Sequence, residues 1–558
     1  MSNVLGRFVV KVMPGSGFVR AITLLAAGLV LLLPGTTQLP VIDRDEARFA
    51  QASRQMHQSG DWIIPIIQDR PRLNKPPLVY WLHCLSIKMT DLPDQVFSYR
   101  FISVSAALLS GFFTMRLGSA LFDRRVGYLS TLGLLASPLV AFDARQARAD
   151  QLLMLATVAA SYFGWRLWQS SATRPVSRWA SVPFALCISF GAMAKGPVLP
   201  ALVLLAAAAH VIHSRSLRRL FDIHPFTILC IGAIPILGWA FLVIDRLGMS
   251  PVVRFVEHEM LGRMGSAVEG HGGVPGTHFL LLPALLWPLS FVLWETLIHW
   301  RREQSPSQMW LWGWIIPGWV LFELAGTKLP HYTMPLYPLI AILLAARVPT
   351  WSPVHDWRRG LVVILWCIVG VGFPIAAWWI RGHAVATDQF DQYSVSSSTL
   401  FCLTLALSIL FLALAGKLLW MGRGLHALVS SALVSLFSSW ALFGQSLPSH
   451  RAPWLTEAVV ARLESETGRS PASPDGPELA AGGYAEDSLV FATCGRVVLS
   501  PSEPMKWLRE DSNRWLVDDG SLGPLDEDLA EVCTIDGYRY PKGISVELRL
   551  IRSKRVNP

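Results

Sequence analysis

Blocks of apolar residues recur along the chain at 20–38, 97–119, 127–142, 150–168, 179–194, 197–212, 225–244, 277–299, 309–325, 331–347, 358–380, 397–419 and 425–446. By the ~20-residue length of a membrane crossing they predict about 13 transmembrane helices. The break between the fifth and sixth blocks rests on "AKGP" at 194–197. The polar residues between blocks are not alike. If the N-terminus is cytoplasmic, the loops after even-numbered blocks share its side. Those loops are basic: Arg124 and Arg125, Arg174 and Arg178, Arg215, Arg218 and Arg219, Arg301 and Arg302, Arg358 and Arg359, Lys417 and Arg423. That is the positive-inside pattern, and it supports both the odd count and the break. The unusual polar stretches then fall on the outer face: 39–96, "DARQARAD" (143–150), "AKGP", 245–276 and "ELAGTKLPHYTMPLYP" (323–338). Arg7, Lys11 and Arg20 precede the first block without an evident small-residue cleavage site, so a retained first helix is expected.

Two regions break the apolar pattern. "DRDEARFAQASRQMHQSG" opens the loop after the first block and ends in Gly60. Phe49, Ala52 and Met56 recur at helical spacing, with Arg48 and Arg54 assigned to the polar side. This predicts an amphipathic helix on the membrane surface. Asp43 is its expected N-cap, with Glu46 in capping-box register. "GDWIIPII" and "NKPPLVYWL" follow, with Trp62, Tyr80 and Trp81 at interfacial depth. Beyond residue 447 the chain turns polar. Residues 466–487 read as a Gly, Pro, Ala and Ser-rich linker or loop, "SLVFAT", "RVVLS" and "ISVELRLI" as strands, and "EPMKWLREDS" as a short helix. The expected architecture is mostly α: a polytopic membrane domain over 1–446, with its first outer loop at 39–96, and a small α/β domain over 447–558 outside the cytoplasm.

Composition agrees. Only 16% of the 558 residues are charged and 52% are hydrophobic, where soluble proteins average roughly 25% charged. The net charge of +9 is then largely topology, and nucleic acid is not an expected partner. Of the seven cysteines, Cys84, Cys187, Cys230, Cys367 and Cys402 lie in or beside apolar segments, whereas Cys494 and Cys533 stand in the tail and can pair if it lies outside the cytoplasm. No internal repeat is visible, which weakens a transporter reading. A transporter, the non-enzyme alternative, also predicts ionisable residues at mid-span, and here they gather at one face.

"RDEARFAQASRQMHQSGDWIIP…NKPPLVYW", "ARADQLLML", "MAKGP" and "GTKLPHYTMPLYP" occur in that order. Together they resemble the aminoarabinose transferases and related protein O-mannosyltransferase-like enzymes, membrane glycosyltransferases of the GT-C fold. The resemblance spans roughly 20–450. It implies inverting transfer of a sugar, 4-amino-4-deoxy-L-arabinose in that branch, from undecaprenyl phosphate to a lipid A phosphate at the periplasmic face of the bacterial inner membrane. A related transferase with another sugar or a protein acceptor is the alternative.

The resemblance assigns Asp45 and Asp150 as acidic residues of the reaction. It makes Lys75, Lys195 and Arg263 ligands of the donor phosphate, with Tyr337 as a hydrogen-bond donor and Arg48 one helical turn from Asp45. Glu46, Tyr332, Lys328, Arg145 and Arg148 are weaker substrate-binding candidates, the two arginines toward anionic lipid A. His258 is the candidate ligand of a divalent metal, zinc or magnesium; no cofactor is otherwise implied. Asn74 stands where the family often has Glu before the "KP" lysine, a departure that counts against an ion there. Each residue also has a plain structural reading. Asp43, Asp45, Glu46 and Asp150 suit helix N-termini. Lys75, Lys195 and Arg263 suit headgroup anchors, Arg145 and Arg148 suit anionic headgroups, and Tyr337 suits an aromatic belt.

Overall fold

A computed structural model describes residues 17–171, 176–255, 273–300, 305–386 and 395–554. Helices dominate. Among the described residues six are long and apolar enough to cross a membrane: Phe97–Leu121, Pro225–Leu247, Pro330–Thr350, Trp357–His383, Ser398–Trp420 and Gly424–Ser449. A seventh arises if Thr277–Leu285 and Leu289–His299, bent by 119°, count as one broken span. The chain is a multi-pass membrane protein. Helix occupies all 13 apolar blocks, but fewer meet that length and composition test than the expected count. Asp150–Ser171 shows the reason. It is buried along most of its length among other helices, so it can carry Gln151, Thr157 and Ser161 and still sit in the bundle. Close approach adds to the packing. Gly127 of Arg124–Leu135 faces Gly118 of Phe97–Leu121, and a Cβ at Gly127 would stand 2.5 Å from the Met115 carbonyl oxygen. Small residues at such crossings let helix backbones touch without a hydrophobic drive between them.

The first helix, α1 (Gly17–Leu32), leads into the opening loop. There α2 (Asp45–Ser59) forms as the spacing predicts and ends at Gly60 with φ 71°. Its surroundings differ from the expectation. Ala47, Phe49, Ala50, Gln51, Ala52, Ser53, Arg54 and Met56 are all buried. The helix is wedged between the membrane domain, through α3 (Leu78–Thr90) and α4 (Phe97–Leu121), and the C-terminal unit. It is therefore not a helix floating on the bilayer surface. Arg54, assigned to the polar side, is 1% exposed, donates to the Phe491 carbonyl at 2.8 Å and lies 4.0 Å from that ring's centroid.

The capping box is absent too. Arg44 occupies the N-cap, and its side chain makes no capping hydrogen bond. Asp43 accepts from the Ser488 amide (2.6 Å) and hydroxyl (2.9 Å). Glu46 forms a fully buried ion pair with Arg100 at 2.7 Å. Its oxygens also accept from the Ile42 amide at 2.8 Å and the Ala147 amide at 2.7 Å. Arg100 in turn donates to the carbonyls of Thr36, Leu39 and Pro40. Local capping contributes about 1 kcal/mol, and these buried tertiary partners outweigh it.

The C-terminal unit packs the helix Leu455–Thr467 on a five-stranded mixed sheet. A separate hairpin in the opening loop pairs β1 (Ile66–Ile67) with β2 (Arg70–Pro71). The sheet comprises β3 (Glu478–Ala481), β4 (Val498–Leu499), β5 (Arg514–Asp518), β6 (Leu529–Arg539) and β7 (Ile544–Ser553), in the order β4-β3-β5-β7-β6. β3 is parallel to β4 and β5; β7 is antiparallel to β5 and β6. The helix Pro504–Arg509 and strands β4 and β7 match the sequence reading. Two readings are corrected. "SLVFAT" is helical over Asp487–Ala492, and β3 lies inside the stretch read as a linker. Ser488–Phe491 is buried on every side, so the run shows neither strand nor helix periodicity. Cys494 and Cys533 remain free thiols, so the expected pairing is not formed.

The Glu46–Arg100 pair yields a stability prediction. Glu46→Ala leaves a buried guanidinium without its counter-charge, a loss of about 3–5 kcal/mol. The unfolding midpoint of the purified variant in detergent should fall well below wild type, and an unchanged midpoint would contradict this account.

Candidate functional site

Helix ends at one face of the bundle, the opening loop and the C-terminal unit enclose a cleft of about 370 Å³. Its floor comes from the loop before α5 (Asp150–Ser171), the end of α6 (Val182–Lys195) and the 3-10 turn Pro330–Leu336. Its outer wall comes from α2, the segment after β2, and Tyr540 and Pro541 in the β6–β7 turn. Six cationic side chains, Arg44, Arg48, Arg72, Lys75, Arg148 and Lys195, face four carboxylates, Asp43, Asp45, Glu46 and Asp150.

Arg148 is the hub. Its guanidinium lies 3.3 Å from Asp150, 3.6 Å from Asp143 and 3.8 Å from Asp45. Burial opposes its charge, but Asp150, Asp143 and Asp45 outweigh that and raise its pKa. It also contacts His331 Nε2 at 2.7 Å, and His331 Nε2 stands 3.9 Å from Asp150. Lys195 donates to Asp150, with its Nζ 5.6 Å from the centroid of Tyr332. Asp45 is the open member: its side chain is 56% exposed. Burial opposes its ionisation, yet Arg148, Arg72 and Lys75 hold the carboxyl below its usual range. Asp45 is thus a charged acceptor facing the cleft, and Asp150 is locked between Lys195 and Arg148.

The sequence-assigned residues separate on this map. Asp45, Asp150, Lys75, Lys195, Arg48, Glu46, Arg148 and Tyr332 all line the cleft. Arg48 does not pair with Asp45; its guanidinium binds Asp487 at 2.7 Å. Glu46 is held in the core by Arg100. Tyr337 starts the helix Tyr337–Ala345, is completely buried and does not line the cleft. The preceding turn presents His331 and Tyr332 instead. Arg145 is buried and donates to the carbonyls of Pro34, Ala141 and Leu31, which leaves it unable to reach an anionic lipid. Lys328 lies outside the cleft lining and donates to the Glu323 and Ala325 carbonyls. Arg263 and His258 fall outside the described residues, and no group of three metal-ligating side chains occurs among those described. Asn74 lines the cleft. Arg72, His331 and Tyr540 were not foreseen. His331 and Tyr332 adjoin in "KLPHY", and Arg72 is three residues from Lys75, so proximity to assigned residues was the available signal.

The C-terminal unit holds the residues just before Asp45. The Asp43 amide donates to Tyr540 Oη at 2.5 Å, and Arg44 donates to the Pro541 carbonyl at 3.3 Å. Burial, with Glu486 and Asp487 nearby, pushes the Asp43 carboxyl from 3.8 up to about 7 against its Ser488 hydrogen bonds. With the folded pKa raised, its contribution is complete below pH 3.8 and is lost as pH rises through about 7. Hydrogen exchange at 487–495 should therefore quicken between pH 5 and 8 in wild type. Asp43→Asn should flatten that dependence, and an equal slope in both proteins would refute it.

Comparison with known proteins follows the same lines. Residues 74–240 match the family model described as dolichyl-phosphate-mannose-protein mannosyltransferase. An undecaprenyl phosphate-alpha-4-amino-4-deoxy-L-arabinose arabinosyl transferase of Edwardsiella ictaluri is 26% identical over 441 residues, covering 75% of this chain and 76% of that one. The protein of the same name from Yersinia enterocolitica is 27% identical over 404 residues, 70% of each chain. The crystal structure of ArnT from Cupriavidus metallidurans bound to undecaprenyl phosphate superposes with a TM-score of 0.74 at 19% identity, covering 96% of this chain and 98% of that one. The chain therefore shares that fold over 96% of its length.

Proposed function

We propose that this aminoarabinose-transferase-like membrane protein moves a sugar, 4-amino-4-deoxy-L-arabinose, from undecaprenyl phosphate to a lipid A phosphate. One observation carries the reading. The cation-lined cleft sits directly over an apolar cavity built on the same helix. Lys195 ends α6 in the cleft, while Ala192, Ile188 and Phe184 on that helix line a second cavity of about 320 Å³ with Trp310 and Trp314. A polyprenyl phosphate needs this pairing. Its chain partitions into apolar surroundings at about 0.8 kcal/mol per CH₂, and its phosphate needs cations at headgroup depth. A transporter would instead carry its ionisable groups at mid-span.

In this reading Lys75 and Lys195 bind the donor phosphate. The acceptor oxygen attacks the sugar's anomeric carbon from the opposite face. The bond from that carbon to the donor phosphate oxygen breaks, and undecaprenyl phosphate leaves with the electron pair. Lys75 and Lys195 stabilise the charge that grows on the departing phosphate. Asp45, kept ionised, orients the acceptor or stabilises positive charge on the sugar. Asp150 holds Lys195 and Arg148 in place. The cleft opens toward the periplasm, with the N-terminus cytoplasmic, the C-terminal unit periplasmic and the protein in the inner membrane.

Reconstituted protein supplied with undecaprenyl-phosphate-linked aminoarabinose should modify lipid A. Asp45→Asn and Lys75→Ala should each lower kcat by about 10²-fold or more while the unfolding midpoint stays near wild type. Full activity in both would remove the site assignment. Mass spectrometry of lipid A from a deletion and a complemented strain tests the sugar and acceptor; identical profiles would leave only the broader transferase class.

A further inference from the structure

Most cations of the cleft are already engaged. Arg48 binds Asp487, Arg148 bridges three carboxylates, Lys195 binds Asp150 and Arg44 donates to Pro541. Arg72 is different. Its guanidinium lies over the Phe49 ring, 5.4 Å from the centroid. Its Nε, like that of Arg148, is buried without a hydrogen-bond partner, but no carboxylate among the described residues lies at ion-pair distance from Arg72, although its charge reaches Asp45 and Asp487. The position is nonetheless well fixed. The Arg72 amide donates to the Pro65 carbonyl at 2.7 Å. The preceding hairpin is tied to the C-terminal unit by Gln68, which donates to the carbonyls of Gly495 (3.3 Å) and Val497 (2.6 Å). Arg72 therefore belongs to the outer wall, while Lys195 rises from a helix end above the apolar cavity.

A stacked guanidinium with its fork open suits a planar pair of anionic oxygens, as a phosphate presents. The two sides of the cleft then divide the work. An anion carried on a chain from the bilayer arrives beside Lys195; one approaching from outside meets Arg72 first. We propose that Arg72 anchors a phosphate group on the sugar acceptor. This rests on the transferase reading above and names the acceptor's recognition group within it. Asn74, neutral and also in the lining, adds no carboxylate to compete for the guanidinium.

The test is steady-state transfer in proteoliposomes with both substrates varied. Arg72→Ala should raise the acceptor KM about tenfold or more, as expected for losing a charge-assisted hydrogen bond, with the donor KM unchanged. Arg72→Lys, which keeps the charge but not the fork, should recover part of the loss. Inorganic phosphate should compete with acceptor in wild type and less in the variant. An unchanged acceptor KM, or an equal rise in donor KM, overturns the proposal. If wild type transfers no sugar, the transferase reading fails on its own. Calorimetric titration of phosphate into wild type and Arg72→Ala then decides Arg72: weaker binding by the variant supports it, equal binding overturns it.

Discussion

The buried Glu46–Arg100 pair joins three separate stretches of this protein. Arg100, on α4, gathers the carbonyls of Thr36, Leu39 and Pro40 from the chain leaving α1. Glu46, in the first turn of α2, accepts from Ile42 and from Ala147 just before α5. Such a pair repays its desolvation only when every remaining hydrogen-bonding position is filled, and here backbone groups fill them. The consequence reaches the cleft. Successive helical residues point about 100° apart, so fixing Glu46 in the core turns its neighbour Asp45 outward.

Around that anchor the cleft is a problem in balancing charge. Arg148, among three carboxylates, lets Asp45 stay ionised and accessible while Asp150 is immobilised. The C-terminal unit completes the arrangement from above. Ser488, Tyr540, Pro541 and Asp487 grip Asp43, Arg44 and Arg48, on both sides of Asp45 in sequence. A domain that looks like an appendage in the sequence is thus a wall of the site.

Much of this was legible beforehand. Spacing marked α2, and the alternation of basic and unusual polar loops placed the outer loops on one face, where the cleft formed. Motif resemblance selected Asp45, Lys75, Asp150 and Lys195, which the structure gathers in one place. Arg145, Lys328 and Tyr337 lie away from the cleft lining, and residue type and depth do not reveal which polar side chains are bound to nearby carbonyls or buried in a core. Arg72 is illegible for the complementary reason: that its guanidinium lies over Phe49 in the cleft lining with no carboxylate at ion-pair distance among the described residues shows only in three dimensions.

The sequence alone determines the membrane-spanning character, because long apolar runs act through the bilayer, an environment common to all such chains. It also determined that α2 is helical, because 3.6-residue spacing is local. Only the tertiary structure decided what that helix does. Glu46 bonds to Arg100 rather than capping, Arg54 is buried rather than solvated, and "SLVFAT" coils rather than extends. In each case the deciding partners lie far away in sequence, and burial makes their interactions stronger than the local preferences they replace.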